Sequence, residues 1–189
     1  MKLERIIVAS GNKNKLREIK EIFTGVEIVS MQELGFNGDI DETGNSFEEN
    51  ALIKAKFIAE KFDMPALADD SGLCVDYLNG APGIYSARFS GKGDKQNRKL
   101  LLEKLNGVEN RGAHFKSAVC LYFPDGKILY GNGRVYGKIL HEETGENGFG
   151  YDCLFYSDDL GKSFGVASAE EKNSVSHRFR ALADLRSNL

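Results

Sequence analysis

The sequence predicts an α/β fold in which helices pack on a mixed β-sheet. Strand and helix patterns alternate in the first half of the chain, and a hairpin pattern follows in the second half. Alternation is typical of parallel strands joined by helices, whereas a hairpin joins antiparallel strands. Several polar segments directly follow predicted strands, which is where open α/β sheets bind ligands.

The chain opens with a strand, a polar loop and a helix. Residues 6–9 are a short apolar run typical of a buried strand. Apolar residues then recur at helical spacing, namely Leu16, Ile19, Ile22 and Phe23. The polar loop between strand and helix covers residues 10–15.

A second helix begins at a capping-box pattern over residues 46–49, which read Ser-Phe-Glu-Glu. Its apolar stripe consists of Phe47, Ala51, Ala55, Ile58, Ala59 and Phe62. Asn50 and Lys54 lie one turn apart on another face of this helix. Pro65 marks where the helix has ended.

The later elements are predicted from the same patterns and from turn residues. They are, in order, a strand over residues 66–68 that ends at an acidic pair, an extended segment over 73–78, a helix over 94–105, a strand over 113–123, a hairpin turn over 124–126 with a strand through residue 130, a strand over 151–156 and helical structure from about residue 168.

Length and composition indicate one domain over residues 1–189 of ordinary globular character. The net charge of −3 argues against a nucleic-acid partner, because such proteins usually carry a basic excess. The apolar run near the N-terminus is too short for a signal peptide or a membrane span, so no membrane partner and a cytoplasmic location are expected. Three widely spaced cysteines predict reduced thiols.

The loop over residues 10–15 offers backbone amides at a helix N-terminus, which makes it a plausible phosphate cradle. Its members are Ser10, Gly11, Asn12, Lys13, Asn14 and Lys15. No Walker loop or dinucleotide-binding fingerprint is present in the sequence. The alternative is an ordinary solvated connection.

Two acidic groups provide candidate metal ligands. Asp69 and Asp70 are adjacent at a predicted strand end, so their side chains should point to opposite sides. Asp41 and Glu42 precede the second helix. Carboxylate clusters suit Mg²⁺, which prefers oxygen ligands and bridges to phosphates. The alternative is an acidic turn and an exposed acidic loop.

A third group could recognise a base, because an aromatic ring beside glycines can stack and polar side chains can bind base edges. It comprises residues 148–152, Lys172 and residues 176–178. Each part alone also has an ordinary structural explanation, as a glycine turn, a surface lysine or a solvated helix face.

Taken together, these segments resemble one family, the inosine/xanthosine triphosphate pyrophosphatases. The matching segments are residues 10–15, 42–51, 68–73, 80–88, 148–152 and 171–178, in this order along the whole chain. The resemblance implies an elongated mixed sheet flanked by helices, with two lobes around a central nucleotide-binding cleft. It also implies a homodimer, a purine nucleoside triphosphate substrate and Mg²⁺.

The resemblance also implies residue roles. The triphosphate would be bound by the loop over residues 10–15, chiefly Asn12 and Lys15. Glu42 and Asp70 match metal ligands, Asp70 matches the general base, and Asp69 and Lys15 are the further candidate catalytic groups. The other matched substrate contacts are Ser71, Phe149, Gly150, Tyr151, Asp152, Lys172, His177 and Arg178. The sequence departs from the family pattern at Glu146, Asn147 and Cys153.

The activity expected from this resemblance is hydrolysis of ITP, dITP and XTP to the monophosphate and pyrophosphate. Two alternatives remain at this point. A non-catalytic nucleotide sensor would have no need of three acids near the phosphate loop. A septum-inhibitor-type pyrophosphatase would act on other altered nucleotides, and the segments over residues 148–152 and 176–178 argue against it.

Overall fold

The computed structural model describes residues 3–189, in which seven strands and five α-helices are formed. The strands are β1 (Arg5–Val8), β2 (Glu27–Ser30), β3 (Ala66–Val75), β4 (Gly112–Tyr122), β5 (Ile128–Ile139), β6 (Phe155–Ser157) and β7 (Lys162–Ser163). The α-helices are α1 (Lys13–Ile22), α2 (Phe47–Phe62), α3 (Asp94–Lys104), α4 (Ala169–Val175) and α5 (His177–Ser187). Short 3-10 helices cover Asp76–Leu78, Gly83–Arg88 and Asp152–Leu154.

The strands form a mixed sheet in the order β2-β1-β3-β4-β5-β6-β7. β1 pairs in parallel with both β2 and β3, as expected where helices connect successive strands. β6 pairs antiparallel with both β5 and β7. The predicted α/β class, a mixed sheet flanked by helices, is therefore confirmed.

The chain divides into two compact units. The first contains the residues up to Asp70 together with Ser117–Gly133 and Arg178–Leu189, and the second contains Ser71–Lys116 and Arg134–His177. This division into units does not test whether residues 1–189 form one domain, so that statement stays a prediction. Among residues 3–189, no helix is long and apolar enough to cross a bilayer.

The first unit buries apolar side chains on both faces of β1, because alternate strand residues point to opposite faces. Ile6 and Val8 join a cluster that includes Ile19 of α1 and Leu182 of α5. Ile7 joins a second cluster that is formed largely by α2. The second unit has its own core, which contains Leu73, Leu101, Phe115, Phe155 and Phe164 among others.

Several sequence-based boundaries were wrong. β5 runs on to Ile139 instead of ending near residue 130, and the last three residues of the extended segment over 73–78 form a 3-10 helix. β3 runs without a break from Ala66 to Val75, so Asp69 and Asp70 lie inside a strand and not at its end. Gly72 lets the strand continue there, because a Cβ at this residue would lie 2.2 Å from the carbonyl oxygen of Gly83. Near the other end of the chain, β6 begins only at Phe155, because a 3-10 turn occupies the preceding residues.

Candidate functional site

The predicted phosphate loop is half helical, because α1 already begins at Lys13. Asn12 is the N-cap of α1, and its Oδ1 accepts hydrogen bonds from the backbone amides of Asn14 at 2.9 Å and Lys15 at 3.2 Å. Ser10 Oγ in turn accepts from the Asn12 amide. Such a capped helix start is a favourable place for an anion, provided that Asn12 releases the two amides it holds.

Asp69 is the centre of a buried charge network in the first unit. Lys15 Nζ lies 3.0 Å from its Oδ2, and Arg178 Nη2 lies 2.9 Å from the same oxygen. The hydroxyl of Ser117 donates to Oδ1. Arg178 also contacts Glu18 through Nη1, so one guanidinium joins two buried carboxylates. This network ties α1, β3, β4 and α5 together.

The pKa values in this network follow from burial and from the opposed charges. Burial alone would raise the pKa of Asp69, but Arg178 and Lys15 outweigh it and hold this pKa well below its usual range. Burial lowers the pKa of Lys15 despite the attraction of Asp69. Burial alone would lower the pKa of Arg178, but the charges of Asp69 and Glu18 outweigh burial and raise it. Asp69 is therefore an ionised anchor, unsuited to accept a proton.

Asp70 has different partners, which come from α2 and the segment before it. Lys54 Nζ lies 3.4 Å from Asp70 Oδ1 and 2.6 Å from Glu42 Oε1. The same ammonium donates to the backbone carbonyl of Asp69 at 3.0 Å. Asn50 Nδ2 donates to Asp70 Oδ2 at 3.3 Å. Glu42 and Asp70 are thus brought together around one positive charge, while the role as metal ligands that the family resemblance implies for them stays a prediction.

The chemistry of these donors fits Mg²⁺. Two carboxylates and a carbonyl already surround a cation, the Lys54 ammonium, and Mg²⁺ in phosphate-binding sites commonly uses one or two carboxylates together with substrate oxygens. Within residues 3–189, no cluster of three or more His, Cys, Asp or Glu suited to a metal is found. The metal would therefore depend on substrate oxygens to complete its coordination.

Asp70 also differs from Asp69 in its proton affinity. Burial raises the pKa of Asp70, and the nearby Lys54 and Lys15 do not fully offset this. Burial alone would lower the pKa of Lys54, but the charges of Asp70 and Glu42 outweigh burial and raise the pKa of the ammonium. A carboxylate with a raised pKa accepts a proton more readily, which suits a general base.

The second unit holds a separate cluster around Phe149. Asp152 Oδ2 accepts from the Phe149 amide at 2.8 Å and from Lys172 Nζ at 2.7 Å. The Lys172 ammonium also lies 4.7 Å from the centre of the Phe149 ring, within cation–π range. Lys172 and Asp152 are buried, whereas Phe149 is half-buried. One face of the aromatic ring is thus held by a buried ion pair.

The remaining predicted contacts occupy varied environments. Tyr151 donates from its hydroxyl to the carbonyl of Ser86 at 2.8 Å, and the ring of His177 stacks on Phe115 with centroids 4.9 Å apart. Ser71 is half-buried at the start of the second unit. His177 belongs to the second unit and its neighbour Arg178 to the first. The predicted role of this pair in base recognition stays a prediction.

Four residues of the first-unit site were not predicted as functional. Asn50 and Lys54 were recognised only as a polar pair on α2, although polar residues one turn apart on an otherwise apolar helix were a usable signal. Glu18 and Ser117 gave no signal, because a charged helix residue and a strand serine are common on solvated surfaces. Both contact Asp69 or its partner Arg178 only through the tertiary fold.

Comparison with known sequences gives matches over nearly the whole chain. The model of the Ham1 family matches residues 6–188. A dITP/XTP pyrophosphatase of Thermoanaerobacter sp. (strain X514) is 49% identical over 188 residues, covering 96% of this chain and 94% of the relative. A dITP/XTP pyrophosphatase of Campylobacter jejuni subsp. doylei is 46% identical, covering 94% of this chain and 93% of the relative.

Solved structures agree with these sequence matches. The Ham1 protein of Staphylococcus aureus is 40% identical with a TM-score of 0.86, covering 98% of this chain and 100% of that one. A nucleoside-triphosphatase / dITP/XTP pyrophosphatase of Mycobacterium abscessus is 44% identical with a TM-score of 0.77, covering 95% and 97%. The resemblance found in the sequence is confirmed, and the chain belongs to the Ham1 family.

Proposed function

We propose that this chain hydrolyses deaminated purine nucleoside triphosphates, namely ITP, dITP and XTP, to the monophosphate and pyrophosphate. The observation that carries the proposal is the first-unit site, where a buried, ionised Asp69 holds Lys15 while Glu42 and Asp70 share one cation. Such a site combines groups for binding polyphosphate with a candidate base. The names of the relatives, dITP/XTP pyrophosphatases, support the substrate class.

The triphosphate is assigned to the N-terminal end of α1. Lys15 presents its ammonium there, and Asp69 fixes that ammonium at 3.0 Å. The amides of the first helical turn and the positive end of the helix dipole add further attraction for phosphate oxygens. Lys15 is already held in place by Asp69, and the Asn14 and Lys15 amides become available to the phosphates once Asn12 releases them, so these groups can stabilise charge that grows on the leaving pyrophosphate.

Asp70 is assigned the general base that takes a proton from the attacking water. Its raised pKa makes it a better proton acceptor than Asp69, which two cations keep ionised. Asn50 holds one of its oxygens, which orients the carboxylate. Attack by the activated water at the α-phosphorus releases pyrophosphate and leaves the monophosphate.

Glu42 and Asp70 are assigned to hold Mg²⁺. When bound, the metal supplies charge neutralisation to phosphate oxygens. Lys54 contacts both carboxylates and keeps them close together. For Mg²⁺ to bind, the Lys54 ammonium would have to move away from these oxygens or remain near the metal. Repulsion between the two cations would then weaken the affinity for Mg²⁺.

Base recognition is assigned to the second-unit cluster. The half-buried Phe149 offers a ring for stacking on a purine, and Asp152 and Lys172 hold that ring and its backbone. His177 is the proposed polar contact of this cluster to the base, and Ser71 and Gly150 are proposed substrate contacts in the same unit. A donor opposite the 6-oxygen of hypoxanthine or xanthine would be left unpaired by the 6-amino group of adenine.

The test is a nucleotide panel with Mg²⁺, read by pyrophosphate release. The expected order is ITP, dITP and XTP far ahead of ATP, with GTP between them. The Asp70→Asn variant serves as the blank for contaminating hydrolases. Release of orthophosphate in place of pyrophosphate, or equal rates for ITP and ATP, would contradict the proposal.

We also propose a homodimer that works in the cytoplasm, with no nucleic-acid or membrane partner. The net charge of −3 gives little attraction for nucleic acid. The thiols of Cys74, Cys120 and Cys153 are free, which suits a reducing compartment. Sedimentation of the purified protein, with and without DNA, would test both the dimer and the absence of nucleic-acid binding.

A further inference from the structure

The residue that follows Phe149 is held by a single helix of the second unit. Gly150 donates its amide to Asp94 Oδ2 at 3.2 Å, and its carbonyl accepts from Arg98 Nη1 at 2.9 Å. Asp94 and Arg98 are four residues apart in α3 and therefore lie on one face of that helix. Both polar groups of one backbone residue are thus engaged by a matched acid and base.

Arg98 is itself fixed in this position. Its Nε lies 2.7 Å from Glu143 Oε1, and the hydrogen bond with this carboxylate raises the pKa of the guanidinium. The guanidinium therefore bridges Glu143 and Gly150, two points of the segment that carries Phe149. A planar fork with several donors is suited to such a bridge, whereas a lysine has a single terminal nitrogen.

Gly150 needs this support because of its backbone conformation. Its φ of 61° lies in the left-handed region, and Gly148 on the other side of Phe149 has a φ of 77°. Glycines lose more conformational freedom on folding than other residues, so a ring between two of them is easily displaced unless its backbone is held. Asp152 accepts a hydrogen bond from the Phe149 amide, and Asp94 and Arg98, here called the α3 pair, hold Gly150.

The second unit also contains hydrogen bonds that attach α3 and the segment after Gly150 to one 3-10 helix without the α3 pair. Asn97 of α3 donates to the carbonyls of Ser86 and Ala87, and Tyr151 donates to Ser86 as well. α3 and the segment after Gly150 therefore remain attached to the same 3-10 helix if Arg98 is removed. Loss of Arg98 should free the peptide next to Phe149 while the unit stays folded.

We infer that Arg98 and Asp94 are positioning residues that fix Phe149 for stacking on the purine ring of the substrate. The inference rests on the proposed function, because it concerns how that substrate is bound. Base–aromatic stacking contributes enough that its partial loss should weaken binding about tenfold. Stacking acts on the bound base and not on the phosphates, so KM should change while kcat is kept.

The experiment measures kcat and KM for dITP in a double-mutant cycle of Arg98→Ala and Phe149→Ala. Arg98→Ala should raise KM about tenfold with kcat within about twofold, and should have no further effect when Phe149 is already alanine. Asp94→Ala should act in the same direction, and Asp94→Asn, which keeps an oxygen acceptor, should restore most of the loss. Lys99→Ala, at an exposed neighbour on α3, is the matched control.

The outcomes separate the inference from the proposed function. A fall in kcat at unchanged KM would mean that Arg98 only maintains folded protein, and an equal rise in KM in both Phe149 backgrounds would mean that it acts elsewhere. An unchanged KM in both the Arg98→Ala and Asp94→Ala variants would also overturn the inference. The proposed function would still stand in that case, provided that the wild-type protein releases pyrophosphate from dITP. If the wild-type protein releases no pyrophosphate from dITP, both are wrong.

Discussion

Asp69 and Asp70 are adjacent in β3, yet their carboxylates have different partners and their pKa values are displaced in opposite directions. Asp69 contacts Lys15 and Arg178, and its pKa is held well below the usual range. Asp70 contacts Lys54, and burial raises its pKa. Alternation of side chains along a strand explains how two adjacent carboxylates come to have different partners and opposite displacements of their pKa values.

The two aspartates should therefore respond differently to the same substitution. Asp70→Asn is expected to lower kcat at least about 100-fold, because the proposed general base is lost, while the protein stays folded. Asp69→Asn is expected to lower the free energy of unfolding, because it removes the carboxylate partner of Lys15 and one of the two carboxylate partners of Arg178. Urea unfolding and pyrophosphate release, measured on both variants, check this. Equal stability of the two variants, or near-normal turnover by Asp70→Asn, would contradict the assignment.

This pair also shows how far sequence patterns reach. The opposite orientation of Asp69 and Asp70 could be predicted, because it follows from strand geometry alone and needs no tertiary contact. The prediction that the strand ends at these acids was wrong, because acidic residues usually avoid strand interiors. Here buried cations, Lys15 and Lys54 among them, compensate their charge.

The partners of the site were harder to predict, because they are distant in sequence. Lys54 reaches Asp70 from 16 residues away, and Arg178 reaches Asp69 from 109 residues away. Periodicity and capping patterns describe neighbours along the chain and contain no information about such pairs. Both the polar segment over residues 176–178 and the family resemblance had singled out Arg178 as a possible contact to a base, and neither indicated that it pairs with Asp69.

Lys15 gives a prediction about phosphate binding. Lys15→Ala should lower kcat/KM about 10- to 100-fold, the value of a hydrogen bond to a charged group. The loss should be the same for dITP and dATP, because the proposed partners of the ammonium are phosphates, which both nucleotides share. Lys20→Ala, at a more exposed position on α1, should have little effect. A loss that depends on the base would place Lys15 in the base pocket.

Glu42 gives a prediction about the metal. Chelation with EDTA should abolish turnover, and added Mg²⁺ should restore it. Glu42→Gln should raise the Mg²⁺ concentration for half-maximal activity at least about tenfold, because removal of even an outer-shell partner typically has that effect. Glu60→Gln, at an exposed position on α2, is the control. An unchanged Mg²⁺ dependence in Glu42→Gln would remove Glu42 from the metal site.

The cysteines should be unreactive in the folded protein. Burial raises the pKa of Cys120 to about 12 and, with Glu143 close by, that of Cys153 to about 11. At pH 8 the thiolate fraction of Cys153 is then only about 0.001, so iodoacetamide should react about 100-fold more slowly than with an ordinary thiol. Mass spectrometry of native and urea-unfolded samples measures this. Glu143→Gln should speed the reaction of Cys153, and equal native and unfolded rates would contradict the prediction.

Arg178 should contribute strongly to stability, because its guanidinium is the shared partner of two buried carboxylates. The residue is 1% exposed, and it contacts Asp69 through Nε and Nη2 and Glu18 through Nη1. Arg178→Ala should lower the free energy of unfolding by about 3–5 kcal/mol, since breaking a buried ion pair strands its charge. Urea titrations with unchanged m-values would measure this loss directly.

A second substitution separates stranded charge from lost packing in this variant. Glu18→Gln in the Arg178→Ala background removes one of the two carboxylates that have lost the guanidinium, so it should restore part of the lost free energy of unfolding. In the wild-type background the same change should destabilise, because it removes one partner of Arg178. Arg186→Ala, on an exposed turn of α5, controls for loss of an arginine from that helix. Two outcomes would show that packing, and not charge, holds α5 at this position. One is a loss below about 1 kcal/mol in Arg178→Ala, and the other is an effect of Glu18→Gln on the free energy of unfolding that has the same sign in both backgrounds.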